Sequence, residues 1–149
     1  MYDTIVVGTD GSETAAVAVR RAAGLAGRLG AALVVVSAYQ PVSEERLRRQ
    51  RQETPDEFSW MVNPQEEVNE ILTEAQRLCA AEGAGDVRTR AVDDAPADAL
   101  LDVAAQVGAD LIVVGSVGMS GARRFLIGSV PNRVAHHAPC DVIIVRTTG

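Results

Sequence analysis

The chain carries one arrangement whose residue types and spacing speak for a specific chemistry. Ile112-Val113-Val114 runs into Gly115-Ser116-Val117-Gly118, and nine residues later come Gly128-Ser129. This reads as a buried strand, a glycine-paired turn and a second glycine opening a helix. Glycine permits the positive φ angles and the close approach that let successive N–H groups converge on an anion. A helix N-terminus adds free N–H groups and a favourable dipole. The predicted chemistry is phosphate binding by backbone, with Ser129 either a ligand or a plain helix cap.

A second cluster, Gly8-Thr9-Asp10-Gly11-Ser12, ends the first apolar run, Thr4-Ile5-Val6-Val7. Its Asp and Ser can cap a helix, and Asp10 can equally face a ligand. Other chemistries are excluded by pattern. There is no Gly-x-x-x-x-Gly-Lys-Ser/Thr string and no Gly-x-Gly-x-x-Gly after the first strand, which rules out a standard P-loop NTPase and a standard dehydrogenase. His136 and His137 are adjacent, so on a helix they point about 100° apart and cannot chelate one metal. No Cys/His cluster has zinc spacing. Cys79 and Cys140 read as reduced, buried residues.

The 149 residues fit one domain. The apolar share is 47 % but only 3 % is aromatic, so the core must be Ala, Val, Leu and Ile, as in helices packed closely on a buried sheet. A net charge of −6 repels nucleic acid and anionic membranes, so any anionic ligand must be held by local groups. No leader-like segment precedes the first strand and no apolar run spans a bilayer, so the expected location is the cytoplasm.

These loops need a frame. Ala15, Val19, Ala22, Ala23, Ala26 and Leu29 have helical spacing, with Gly30 to stop the helix. Leu33-Val34-Val35-Val36 reads as a strand buried on both faces. From Gln40 to about Pro64 no periodic face survives; Phe58, Trp60 and Met61 there form either a small apolar cluster or part of a lid. Val68, Ile71, Leu72, Ala75, Leu78 and Cys79 restore helical spacing. Val87 to Val92 alternates, as an edge strand does. Asp94 and Pro96 start a third helix carrying Leu100, Val103, Ala104 and Val107; Leu111 to Val114 is a strand, Pro131 sits in the first turn of a fourth helix, and Val142 to Val145 is the last strand. The order βαβαβαβαβ predicts a five-stranded parallel sheet, a Rossmann-like three-layer α/β sandwich of order 3-2-1-4-5. Chain direction reverses between strands 1 and 4, which opens a ligand crevice at their C-terminal ends. There is no repeat, low-complexity tract or linker: residues 1–149 read as one domain with an irregular segment at about 40–64.

Gly-x2-Gly-x9-Gly-Ser after a buried strand, with the opening Ile5 to Ser12 and the His136-His137-Ala138-Pro139-Cys140 segment, resembles the universal stress protein family over essentially the whole chain. The resemblance implies an adenine nucleotide, with ATP first and cyclic AMP as the alternative ligand. It places the adenine against backbone near Ser37-Ala38-Tyr39 and the phosphates in the glycine loop. It assigns nucleotide contact to Thr9, Asp10, Gly11, Ala38, Val114, Gly115, Ser116, Gly118, Met119, Gly128, Ser129 and Val130, with Asp10 able to meet Mg. Val117 stands where many members carry a basic residue and resembles members linked to cyclic AMP; losing that charge weakens a triphosphate more than a cyclic phosphate. Arg123 and Arg124 either compensate or stay solvated. Asp10 is the only evident carboxylate at the site and no second group is placed to orient a water, so at most slow ATP hydrolysis is expected; the expected role is a nucleotide-dependent stress regulator whose state a protein partner reads. The alternative is an interaction module of the same fold with an empty pocket. An apolar edge strand, Val142, Ile143, Ile144 and Val145, predicts a homodimer.

Overall fold

The computed structural model describes residues 1–39, 64–116 and 129–147. They run β1 (Thr4–Gly8), α1 (Glu13–Leu29), β2 (Ala32–Tyr39), α2 (Pro64–Ala81), β3 (Asp86–Asp93), α3 (Pro96–Val107), β4 (Leu111–Gly115), α4 (Ser129–His137) and β5 (Asp141–Val145). The strands pair in parallel in the order β3-β2-β1-β4-β5, as the pattern of buried and alternating runs predicts. The cluster of Phe58, Trp60 and Met61 lies outside the described residues, as do Arg123 and Arg124.

The central strands are apolar at every position because both of their faces are covered. Consecutive side chains point to opposite sides of a strand. Ile5, Val7, Leu33, Val35, Leu111 and Val113 therefore pack with Ala18, Ala22, Ala23 and Ala26 of α1 and Leu72, Ala75 and Cys79 of α2. Val6, Val34, Val36, Ile112 and Val114 pack on the other side with Leu100, Val103 and Ala104 of α3 and Val134 of α4. Burial pushes the Cys79 thiol up to about 11, so it behaves as a small core hydrophobe; neither cysteine is in a disulfide.

The alanine face lets α1 sit low on the sheet, and its far end meets backbone directly, Gly27 lying against the Gly83 carbonyl in the turn after α2. The two edges differ. On β3 the exposed positions include Asp86, Arg88 and Arg90, with Arg90 donating to Gln106 of α3 at 2.7 Å. On β5, Ile143 and Ile144 are 36 % and 37 % exposed, while Val145 is buried against α1, so its side chain belongs to the core rather than to a free edge.

At the opposite end of β4 from Gly115, Asp110 accepts from the backbone N–H groups of Asp3 at 2.9 Å and Thr4 at 3.0 Å. Those bonds hold its carboxyl below the usual range. A carboxyl whose folded pKa is depressed stabilises fully above its unfolded pKa, and the contribution is lost as pH falls through the folded value. Asp110→Ala should therefore lower the melting temperature at neutral pH and converge with the parent in strong acid, which thermal melts across pH would show.

Candidate functional site

Because all five strands run the same way, the ends of β1, β2 and β4 lie together at one edge of the sheet. The β1–α1 turn is built from its own side chains. Thr9 Oγ1 accepts from Gly11 N–H at 3.0 Å and Asp10 Oδ1 from Ser12 N–H at 2.9 Å. Ser12 caps α1, its hydroxyl accepting from Ala15 N–H at 3.2 Å. Asp10 is thus not the cap, and its carboxylate stands beside the crevice, half-buried. Gly11 has φ +83°, and a Cβ there would lie 2.9 Å from Ile71 Cγ1, so α2 closes directly over this turn. Ser37 donates its buried hydroxyl to Thr9 C=O at 2.8 Å, tying β2 to the turn.

β2 outruns β1. Thr9 N–H donates to Val36 C=O at 2.9 Å, and no β1 residue pairs with residues 37–39, which among the described residues pair only with β3. Backbone groups alternate sides along a strand, so Ala38 directs its N–H and C=O to the same side as Val36. Among the described residues no strand meets them there. They border a cleft of about 260 Å³ lined by Asp10, Ser37, Ala38, Tyr39, Glu67, Val68 and Ile71. Thr9 and Gly11 line an adjoining groove along α1 and α2 of about 350 Å³.

Between β1 and β4, Gly8, Thr14, Val114, Gly115, Val130, Pro131 and Thr147 enclose a small cavity of about 20 Å³. Ser116 is engaged rather than free: its N–H donates to Val145 C=O at 2.8 Å, and its hydroxyl accepts from Thr147 N–H at 3.2 Å. Ser129 is the exposed first residue of α4. The structure thus brings Thr9, Asp10, Gly11 and Ala38 to one side of the crevice and Val114, Gly115, Ser116, Ser129 and Val130 to the other. Gly118, Met119, Gly128 and Val117 lie outside the described residues.

Sequence reasoning places Ile71 only on the apolar face of a helix, and it misses Glu67 and Thr147. Nothing local marks Glu67 or Ile71 as lining the crevice. Thr147 could have been found from register, since Gly115 pairs with Val145 two residues before it. No group of three or more His, Cys, Asp or Glu among the described residues could hold a metal. No helix among them is long and apolar enough to cross a membrane.

Residues 1–146 match the model of the universal stress protein family. A universal stress protein of Mycobacterium tuberculosis is 44 % identical over 147 residues, covering 99 % of this chain and 98 % of the relative. Among solved structures, a universal stress protein in complex with cAMP is 39 % identical with a TM-score of 0.74, covering 99 % of this chain and 98 % of that one. A universal stress protein from Archaeoglobus fulgidus in complex with dAMP is 28 % identical with a TM-score of 0.70, covering 97 % and 98 %. With the family's motif, its sheet order and these likenesses across nearly all of its length, the chain belongs to the universal stress protein family.

Proposed function

We propose that the protein binds an adenine nucleotide in this crevice and serves as a nucleotide-dependent regulator in the stress response. The observation that carries the reading is the open backbone of Ala38. One donor and one acceptor side by side match the Watson–Crick edge of adenine, which offers an N6 donor and an N1 acceptor. From that end, a nucleotide reaches past Asp10 toward Gly115 and the first turn of α4, where free N–H groups favour phosphate. The two relatives crystallised with cAMP and dAMP support the same ligand class.

The resemblance alone ranks ATP ahead of cyclic AMP. The cAMP complex of a protein 39 % identical to this one, together with the uncharged Val117, moves cyclic AMP ahead in our reading. Calorimetric titration of nucleotide-free protein with cyclic AMP and separately with Mg-ATP tests this. Micromolar binding of either supports the reading, the tighter ligand names the signal, and binding of neither overturns it in favour of an interaction module. We read occupancy as sensed rather than consumed. Sustained phosphate release from Mg-ATP would refute that part.

The exposed Ile143 and Ile144 lead us to propose a homodimer through β5, since an apolar strand edge left uncovered invites pairing. Ile144→Asp should sediment as a single chain and the parent as a pair, with the fold kept because the residue is exposed. A parent that sediments alone, or a variant that stays paired, would refute this contact.

A further inference from the structure

We infer that Thr147, two residues past the end of β5, is a positioning residue of the nucleotide crevice, holding the first residues of the glycine loop where the ligand needs them. The inference rests on the nucleotide reading above.

Three contacts carry it. Ser116 N–H donates to Val145 C=O at 2.8 Å, which carries the β4–β5 ladder one residue past the end of β4. Thr147 N–H then donates to Ser116 Oγ at 3.2 Å, and the two hydroxyl oxygens lie 3.4 Å apart. Finally, the Thr147 methyl fills the place where a side chain at residue 115 would begin: a Cβ on Gly115 would lie 2.9 Å from Thr147 Cγ2. Gly115 and Ser116 are thus both fixed, one by shape and one by hydrogen bonds.

The position matters because of what else is there. Thr147 closes a cavity at the reversal between β1 and β4, onto which the first turns of α1 and α4 open through Thr14 and Pro131. At about 20 Å³ the cavity has room for about one water, so a displacement of Thr147 by the width of a methyl changes its shape outright. Since Val145 ends the edge strand, a contact that shifts β5 shifts Ser116, and by reciprocity a ligand held at Gly115 and Ser116 acts on the edge.

The test titrates cyclic AMP and Mg-ATP into the full chain, into Thr147→Gly, Thr147→Val and Gly115→Ala, and into the double variant Gly115→Ala/Thr147→Gly, with thermal unfolding of each. Thr147→Gly should weaken binding about tenfold, as for residues that act on a site through packed neighbours, while the melting temperature stays close to the parent's. Thr147→Val, which keeps a methyl against Gly115, should recover most of the loss. Thr147→Gly should also rescue part of the affinity lost in Gly115→Ala, an outcome that a merely structural role would not produce. If the parent binds and Thr147→Gly binds equally well, the positioning role is overturned and the nucleotide reading stands. If the parent binds neither nucleotide, the nucleotide reading falls and the inference falls with it.

Discussion

Gly115→Asp should abolish nucleotide binding while leaving a folded protein. Two effects act together. The new Cβ would stand 2.9 Å from the Thr147 methyl, closer than carbon atoms approach, and the carboxylate would be placed where a phosphate is expected. Like charges brought together at an interface cost several kcal/mol, so the loss should be about a hundredfold or more. Folding survives because the neighbour is a side chain, which can turn aside, whereas a backbone neighbour could not. Gly115→Ala separates the two effects, keeping the clash and removing the charge, and should sit between the parent and Gly115→Asp. Calorimetry with cyclic AMP, alongside circular dichroism to verify the fold, checks the series. Unimpaired binding by Gly115→Asp would move the phosphate site elsewhere.

The second large effect reverses a rule of thumb. Gly27 lies inside α1, where exchange of glycine for alanine normally stabilises a helix by about 1 kcal/mol. Here a Cβ would lie 2.7 Å from the Gly83 carbonyl oxygen and 3.0 Å from its carbon. Those atoms belong to a turn fixed by the Gly83 N–H bond to Ala80 C=O and the Ala84 N–H bond to Cys79 C=O, both 3.1 Å, so they cannot give way as a flexible side chain would. Overpacking of this kind costs about 1–3 kcal/mol, which exceeds the propensity gain. Gly27→Ala should therefore lower the melting temperature by several degrees, at about 2–4 °C per kcal/mol for a chain of this size. Gly24→Ala, three residues earlier on the same helix with nothing within 4 Å of the added carbon, should raise it. Opposite signs from two glycines on one helix would show that the contact with Gly83, and not helix propensity, decides the outcome at residue 27.

The contrast between these glycines marks where sequence reading stops. Strand order was legible because burial leaves a local trace: Leu33 to Val36 is apolar at every position, while Val87 to Val92 alternates. Ser12 could be named as a cap candidate from its place before an apolar helix face. Thr9, Asp10 and Gly11 could be placed in the crevice because the reversal between strands 1 and 4 follows from topology. By contrast, the contacts of Gly27 with Gly83, Gly11 with Ile71 and Gly115 with Thr147 join residues from 32 to 60 positions apart. No periodicity encodes such meetings, since each depends on how closely two finished elements pack. The same holds for Ser37, whose bond to Thr9 C=O spans 28 residues and looks from sequence like any serine ending a strand.

The unlike edges of the sheet bear on how far copies of this chain can add to one another. Head-to-tail growth would lay the β5 of one molecule along the β3 of the next and repeat without limit, the geometry of a filament. Asp86, Arg88 and Arg90 oppose it, because an incoming Ile143 and Ile144 would lay apolar side chains on a charged border, and Arg90 is already tied to Gln106. Charged edge residues protect against open-ended sheet addition in this way. A fold with one inviting border and one guarded border can be completed by a single like border, after which nothing remains to extend.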